Sequence, residues 1–477
     1  MQLLDLITIF IFALGIVIMG LSFSGKGRNM KSFFAAGGAV PWAMSGLSLF
    51  MGFFSAGTFV VWGSIAYSLG WIAISIQWTM AIAGFVVGFF IAPRWHKTSA
   101  LTVAEYITRR LGVNTQKTYT YLFLFISLFT TGSFLYPVAK IVEVSTGMPL
   151  DLCILLLGGF CIVYVAAGGL WAVVSTDVLQ FIILTAAVLI VVPLSFGRVG
   201  GVVNFIESIP ATYFNLVNGE YTIGFIIAFG VYNAIFLGGN WAYVQRYASV
   251  NSQSSARKVG FLFGGLYVVS AVLWMLPPMI YRIVNPSLST IDAEGAYLMM
   301  CKEVLPAGLL GLMLSGMVFA TASSLNATLN ISSGVVTNDI FKRLFPQSSD
   351  KTLMRVARIS TIIFGLLAII VALLIPLMGG IVNVVISVAA LTGVPLYLPI
   401  IWTLFSKRQT EYSVITTTLV SLGANAFFKF ITPLWGFGFN RAEEMIVGVA
   451  FPVFCLIAFE LYYIPSLCRI SRMGKRK

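Results

Sequence analysis

The sequence predicts an all-α polytopic membrane protein with about 13 transmembrane helices. Three observations predict this fold class: the composition, a series of apolar runs of membrane-spanning length, and an uneven distribution of basic residues between the loops. Of the 477 residues, 59% are hydrophobic and only 9% are charged, and the mean hydropathy is +0.96. Soluble domains are about 45 to 50% apolar and about 25% charged. The composition therefore excludes a water-soluble enzyme.

The apolar runs are long enough to cross a bilayer, because a transmembrane helix needs about 20 largely apolar residues. They fall at approximately 3–22, 41–65, 69–92, 118–146, 149–168, 170–196, 222–244, 258–281, 306–337, 354–376, 380–405, 412–431 and 445–465. The first run lacks the basic segment and small-residue cleavage site of a signal peptide, so we expect it to remain as a transmembrane helix.

The basic residues predict the orientation of the chain. In one set of alternating loops they number 23, and in the other set 5. Because Lys and Arg are retained in cytoplasmic loops, we expect the N-terminus outside and the C-terminus in the cytoplasm, with the chain in the cell inner (cytoplasmic) membrane. The net charge of +13 is then explained without a nucleic-acid partner.

Two spans, the second and the seventh, carry glycine and polar residues within apolar sequence. These residues are Gly52, Ser55, Gly57 and Thr58 in the second span, and Gly230, Asn233, Gly238, Gly239 and Asn240 in the seventh. They favour a break at mid-membrane, where freed carbonyls must face protein or an aqueous cavity. Close helix packing through small residues is the alternative.

The two unusual spans lie five spans apart, which is typical of inverted five-helix repeats built around discontinuous helices. We therefore expect the first repeat over 33–197 and the second over 221–408. The remaining parts are a peripheral first helix at 1–32, an extracellular connection at 198–220, and two peripheral helices with a basic cytoplasmic tail at 409–477.

The ninth span carries neutral oxygen atoms on one helix face. Ala320, Ser323 and Ser324 stand at i, i+3 and i+4 and therefore share that face. Hydroxyl and carbonyl oxygens suit a hard, weakly charged cation, which needs part of its water shell replaced without a large counter-charge. The pattern predicts a sodium site. A packing face whose hydroxyls bond back to the helix is the alternative.

Four of the charged residues within the apolar runs carry specific predictions. Asp177 lies about two turns inside the sixth span, where a carboxylate costs on the order of 2.5 to 3.5 kcal/mol on insertion scales. We expect it to face a cavity or an ion; a hydrogen-bonded structural acid is the alternative. Lys140 and Glu143, spaced i, i+3, predict a structural ion pair, and Glu460 predicts an interfacial role.

The sequence offers no set of groups suited to catalysis. The five cysteines form no C-x-x-C pair, and His96 is the only histidine. A membrane-embedded enzyme would need a convergent acid, base or metal set, and a passive channel would need a continuous polar pore. Neither is visible in the sequence, so we expect a transporter without catalytic residues.

Several segments resemble the sodium/solute symporter family, with the likeness running over about residues 30–405. They are FFAAGGAVPWAMSGLSLF at 33–50, TVAEYITRRLG at 102–112, GGLWAVVSTDVLQ at 168–180, VQRY at 244–247 and ATASSLNATLN at 320–330. The resemblance is nearest to the sialic-acid-transporting and sugar-transporting bacterial members. It implies the leucine-transporter-like fold of inverted repeats, with one peripheral helix before the core and two after it.

The resemblance also implies a sodium site between the second and ninth spans. Its ligands are the backbone carbonyls of Met51, Phe54 and Ala320 together with the hydroxyls of Ser323 and Ser324.

A second sodium site of the sialic-acid-transporting branch is matched only in part. Asp177 and Ser323 agree with that pattern, whereas two further serines are replaced here by Asn326 and Ala327. Asn326 could supply an amide oxygen. Asp177 and Asn326 are therefore predicted to form a possible second sodium site or a proton site.

For the solute, the resemblance implies binding by five residues. These are Phe53, Ser55, Thr58, Gln77 and Asn240. The Arg that binds the substrate carboxylate in sialic acid transporters corresponds to Ser133 here, so the bidentate partner is missing and sialic acid is not expected. The acid and amide of the galactose-transporting members correspond to Gly57 and Thr58.

Taken together, the sequence predicts a sodium-coupled secondary symporter that imports a small polar organic solute, sugar-like or amino-acid-like, by alternating access. Sodium is the only cofactor expected. The partners are the small-molecule solute, sodium and the lipid bilayer, with no nucleic acid and no obligate protein partner evident. The alternatives are a proton-coupled carrier on the same fold that uses Asp177, and a passive solute facilitator.

Overall fold

The computed structural model describes residues 2–24, 40–100, 102–164 and 170–462, and within some helices it leaves individual side chains undescribed. Throughout these residues the regular structure is helical, and they contain no strand. The all-α polytopic fold class is therefore confirmed. The predicted basic tail after residue 462 and the loop at 25–39 lie outside the described residues.

The helices are numbered in chain order. They are α1 (Leu3–Ser24), α2 (Trp42–Met51), α3 (Thr58–Leu69), α4 (Trp71–Lys97), α5 (Val103–Leu111), α6 (Val113–Thr146), α7 (Leu150–Tyr164), α8 (Leu170–Arg198), α9 (Val202–Ser208), α10 (Ile223–Gly239), α11 (Trp241–Ala248), α12 (Gln253–Val284), α13 (Ala296–Val304), α14 (Leu309–Val335), α15 (Asp350–Leu374), α16 (Ile381–Thr403), α17 (Glu411–Trp435) and α18 (Arg441–Tyr462).

Each predicted apolar run coincides with a helix or with a broken pair of helices in this order. Among the described residues, eight helices are long and apolar enough to cross a membrane, or nine if the bent pair α10 and α11 forms one span. The multi-pass character is thus confirmed, and the number 13 stays a prediction.

Small residues allow the closest approach between helices, as in the contact of α4 with α12. Gly84 and Gly88 on α4 face Gly260 and Gly264 on α12, each pair spaced by four residues. A Cβ added at Gly84 would lie 2.7 Å from the Gly264 nitrogen, and one at Gly260 would lie 2.5 Å from Gly88 Cα. Small-x-x-x-small pairs of this kind let two backbones touch within a membrane.

Both predicted breaks are present. The second span is divided into α2, which ends at Met51, and α3, which begins at Thr58. The seventh span is divided at Asn240 into α10 and α11, which meet at an angle of 59°. This second break lies nearer one end of its span than the middle, because α10 has 17 residues and α11 has 8.

The peripheral helix α1 is attached to α14 through a buried carboxylate. Asp5 Oδ1 accepts hydrogen bonds from the backbone N–H groups of Gly308, at 2.7 Å, and Gly311, at 3.1 Å. These groups belong to the start of α14, where N–H groups have no partner inside their own helix. Asp5 therefore caps a helix other than its own.

The predicted ion pair is confirmed, since Lys140 Nζ lies 2.8 Å from Glu143 Oε2. Glu460 accepts hydrogen bonds from Ser406 Oγ, at 2.8 Å, and Gln409 Nε2, at 2.9 Å. It thereby ties the end of α18 to the segment that follows α16, which agrees with a structural role.

Candidate substrate and sodium site

The break between α2 and α3 is held by contacts with several helices. The backbone N–H of Ala56 donates to Thr321 Oγ1 of α14 at 2.9 Å. The Phe54 ring stacks on Trp274 of α12 with 4.7 Å between centroids. Gly52 and Gly57 flank this stretch, and glycine is a poor helix former. The break is thus a packed feature whose position α14 helps to fix.

The backbone bonds across the break leave some carbonyls unused. Gly52 donates to Ser48 and Leu49, Phe53 and Phe54 both donate to Phe50, and Thr58 donates to Ser55. None of these bonds is accepted by the carbonyl of Met51 or of Phe54. Both residues are buried. These are the two carbonyls of the second span that the family resemblance assigned to sodium.

On α14, Ser324 lies beside a cavity that also touches the break. Its hydroxyl donates to the Ala320 carbonyl at 3.4 Å, close to the limit of a hydrogen bond. Ala320 is buried. The side chains of Ser323, Asn326 and Ala327 lie outside the described residues, so their predicted roles stay predictions.

A large cavity opens beside the break and is called here the break cavity. Together with the part that is open to solvent, it has a volume of about 1140 Å³. Helices α4, α6, α10, α11, α12 and α16 complete its wall. The polar side chains along it are Ser55, Thr58, Gln77, Thr130, Ser133, Asn233 and Thr392, and its aromatic ones are Phe53, Trp62, Phe134, Phe229, Tyr232, Phe236, Tyr243, Tyr267 and Tyr397. No charged side chain occurs among the described residues that line it.

Four of the five predicted solute-binding residues meet on this cavity. Phe53, Ser55 and Thr58 come from the break, and Gln77 comes from α4. The fifth, Asn240, lines a neighbouring cavity instead. Its Oδ1 accepts a hydrogen bond from the N–H of Ala242 at 3.0 Å and so caps α11.

Ser133 also lines the break cavity, and its hydroxyl donates to the Phe129 carbonyl at 2.8 Å. The position thus offers a neutral hydroxyl to this cavity, where the sialic acid transporters carry an Arg.

Asn233 lines the same cavity but was not predicted as a solute-binding residue. Its Nδ2 donates to Thr79 Oγ1 at 2.8 Å, which orients the amide toward α4. In the sequence it was visible only as one polar residue within a glycine-rich span. Its direction depends on how α10 packs against α4, which one sequence does not specify.

The neighbouring cavity, called here the Asp177 cavity, has a volume of about 880 Å³ together with the part open to solvent, and Ser324 belongs to its lining. Ser48 Oγ donates a hydrogen bond to Asp177 Oδ2 at 2.6 Å, and Ser48 Oγ in turn accepts one from Arg246 Nε at 3.0 Å. All three side chains are buried. The expectation that Asp177 faces a cavity agrees with this arrangement.

Arg246 is the residue that sequence reasoning misplaced. The 23 basic residues counted in one set of loops include Arg246, whereas the structure buries its side chain on α11. The carbonyl of Arg246 accepts a hydrogen bond from Ser45 Oγ at 2.8 Å. The side chain and backbone of one residue thus fasten α11 to α2.

Comparison with known proteins identifies the family of this chain. A family model described as the sodium:solute symporter family matches residues 33–420. The chain is 28% identical over 472 aligned residues to a sodium/glucose cotransporter from Vibrio parahaemolyticus, covering 90% of this chain and 86% of that protein. It is 27% identical to sodium/myo-inositol cotransporter 2 from Sus scrofa, covering 88% of this chain and 68% of that protein.

Among solved structures, a Na⁺-coupled sialic acid symporter in a substrate-bound outward-open state is similar, with a TM-score of 0.80 and 21% identity. The match covers 96% of this chain and 98% of that chain, and at this identity it shows the fold. Because the family model covers most of the chain and the named relatives are cotransporters rather than enzymes, this protein is a transporter that belongs to the sodium:solute symporter family.

Proposed function

We propose that the protein is a sodium-coupled symporter that imports a small, uncharged polar solute by alternating access. The observation that carries this proposal is the junction of the broken second span with α14. There the N–H of Ala56 bonds to Thr321, while the carbonyls of Met51 and Phe54 stay free of the backbone bonds of the break.

In this proposal sodium binds where α14 meets the break. The carbonyls of Met51, Phe54 and Ala320 supply three ligands, and the hydroxyls of Ser323 and Ser324 supply two. Neutral oxygens at a helix interruption are the usual surroundings of a transported monovalent ion. Binding there favours the state in which both elements are in contact, and differential affinity of this kind couples ion and solute.

The break cavity supports an uncharged solute. Aromatic rings with a few amides and hydroxyls suit a compact polar molecule with an apolar face. A carboxylate or ammonium solute would need a partner charge, and the described lining offers none. Relatives named as glucose and myo-inositol cotransporters make a sugar or cyclic polyol the first solute to test.

A thermal-shift comparison on purified protein tests the solute class. Neutral sugars and polyols should raise the melting temperature in sodium and much less in potassium, because a ligand that binds only the folded state stabilises it. Their carboxylated analogues, such as uronic acids, should have no effect. A sodium-dependent shift produced by the acids but not by the neutral compounds would contradict the proposal.

A proton-coupled carrier is the second candidate, favoured by the buried Asp177 at its cavity. It predicts uptake driven by a pH gradient in sodium-free medium and loss of that uptake in Asp177→Asn. In the sodium-coupled proposal a pH gradient alone drives no accumulation.

We propose that the protein lies in the inner membrane with its N-terminus outside. We also propose that the two five-helix repeats span 33–197 and 221–408, and that the protein needs no obligate protein partner. Single-cysteine labelling of intact cells at position 437, between α17 and α18, tests the orientation. A cysteine in this loop should react with a membrane-impermeant reagent. Absence of labelling would place the loop in the cytoplasm and contradict the proposed orientation.

A further inference from the structure

Helix α16 contains a π-helical turn where it lines the break cavity. The turn runs over Ala389–Gly393, and Val388, Thr392 and Tyr397 around it face the cavity. A π turn adds one residue to a helical turn and recurs at functional sites. The register of this turn therefore determines which side chains of α16 face the solute.

Pro395 removes one backbone donor near this turn, a donor that could otherwise serve either of two carbonyls. In an α-helical pattern residue 395 would donate to the Leu391 carbonyl, four residues earlier. In a π pattern it would donate to the Ala390 carbonyl, five residues earlier. Proline has no N–H group, so neither bond can form. An unpaired carbonyl within a membrane is costly, so a carbonyl that loses this donor requires one from elsewhere.

Asn425 on α17 supplies that donor. Its Nδ2 donates to the Ala390 carbonyl at 3.1 Å and to the Leu391 carbonyl at 3.2 Å. The side chain is buried and does not line the break cavity. One amide of a helix predicted to be peripheral thus serves the two carbonyls that Pro395 cannot serve.

Close packing holds the turn from both sides. A Cβ at Gly448 of α18 would overlap the Ala390 carbonyl oxygen, and a Cβ at Gly393 would overlap the ring of Tyr232 on α10. The turn therefore has little room to shift toward α18 or toward the cavity. Together with Asn425, these contacts specify one register.

We propose that Asn425 is a positioning residue for the solute site. It pins the π turn of α16, so that helices α17 and α18, which contribute no described residue to the break cavity, shape its wall. The proposal rests on the proposed function in one respect, which is that the break cavity holds the solute.

The main test replaces Asn425 by Leu, which has a similar volume and no donor. At saturating sodium, Asn425→Leu should raise the KM for solute at least fivefold, and the half-saturating sodium concentration should stay within twofold of wild type. Asn425→Gln keeps an amide donor and should have a KM closer to wild type than the Leu variant. A role confined to general stability would lower Vmax without this selective change in KM.

Thr417→Val is the matched control on the same helix. Thr417 lies eight residues before Asn425, is buried, and makes no hydrogen bond through its hydroxyl within the described part of the chain. Its KM should stay within twofold of wild type. Gly448→Ala approaches the Ala390 carbonyl from α18 and should raise KM independently of Asn425, which keeps the test decisive if the Leu variant does not fold.

Hydrogen exchange of residues 389–396 in purified protein gives a readout that needs no transport. Exchange should be at least tenfold faster in Asn425→Leu and unchanged in Thr417→Val. Unchanged exchange overturns the pinning role, and faster exchange with unchanged KM overturns the role in solute binding. If the wild-type protein transports no solute, the proposed function fails while the exchange result still decides whether Asn425 pins the turn.

Discussion

Ser324 combines a hydroxyl, a position beside the Asp177 cavity and only a weak bond to its own helix. The 3.4 Å separation from the Ala320 carbonyl means that little hydrogen-bond energy is lost if the hydroxyl turns toward a cation. The same bond also agrees with the alternative, in which the hydroxyls of this face bond back to their own helix and serve only in packing. The sodium dependence of solute uptake distinguishes a sodium ligand from a packing residue.

Replacing Ser324 by Ala, alone and together with Ser323, should raise the half-saturating sodium concentration, by at least tenfold for the pair. Tenfold corresponds to about 1.4 kcal/mol, a reasonable loss for ligands to an ion. Sodium titration of solute uptake measures it. Ser315→Ala is the control, because Ser315 is buried on the same helix nine residues before Ser324 and donates to the Gly311 carbonyl at 2.7 Å. If wild type and the double variant gave the same sodium titration, these hydroxyls would not be sodium ligands.

Replacing Gln77 by Ala should raise the KM for solute several-fold and leave the half-saturating sodium concentration within twofold. Gln77 is buried on the wall of the break cavity, and loss of one neutral hydrogen bond costs about 0.5 to 1.5 kcal/mol. Initial rates of uptake over a solute series give both constants. Gln116→Ala serves as control, since Gln116 is equally buried but bonds Thr120 within α6. Equal loss of sodium and solute affinity would show that Gln77 is structural.

Sequence reasoning located some of these residues and missed others for a physical reason. The family resemblance placed Ser55, Thr58 and Gln77 at the solute site, and all three line the break cavity. The burial of Arg246 could not be predicted, because a count of loop charges treats a basic residue that follows an apolar run as exposed. Its burial depends on Ser48 Oγ lying between it and Asp177, which only the packing of three helices produces.

At the scale of helices, the breaks were predictable and the π turns were not. Gly52 and Gly57 weaken a helix wherever they occur, so the break in the second span follows from local sequence. The turn at Ala389–Gly393 depends on Pro395 and on a donor about thirty residues later, Asn425. The glycines act locally, so the break can be predicted from the sequence. The contact with Asn425 is tertiary, so no local sequence pattern indicates the π turn.

Removing the carboxylate of Asp5 should weaken the attachment of α1 to α14. Asp5→Ala leaves the N–H groups of Gly308 and Gly311 without this acceptor, the second of them buried, and should lower the free energy of unfolding by about 1 to 3 kcal/mol. Thermal unfolding in detergent detects the change. Asp5→Asn keeps a side-chain oxygen as acceptor and should lose less. If both variants unfold at the wild-type temperature, the cap makes no net contribution.

For the whole molecule, the composition alone predicted a multi-pass helical protein, because so few charges cannot solvate a soluble surface. The prediction of the repeats and of the orientation depends on the number of spans. That number depends on which helices cross the bilayer, and so on the membrane as well as on the sequence. The energy available to the transporter follows from the bilayer. One charge crossing 100 mV supplies about 2.3 kcal/mol, and a tenfold sodium gradient adds about 1.4 kcal/mol. Together they permit accumulation on the order of several hundredfold for one sodium ion per solute.

Sodium-driven accumulation in proteoliposomes tests the central claim most directly. Vesicles loaded with potassium and diluted into sodium medium with valinomycin should concentrate a radiolabelled neutral sugar or polyol that shifts the melting temperature. The solute should rise above its external concentration and then leak back as the gradient decays. External choline in place of sodium should leave only equilibration. Equal accumulation in choline, or equilibration without accumulation in sodium, would contradict sodium coupling.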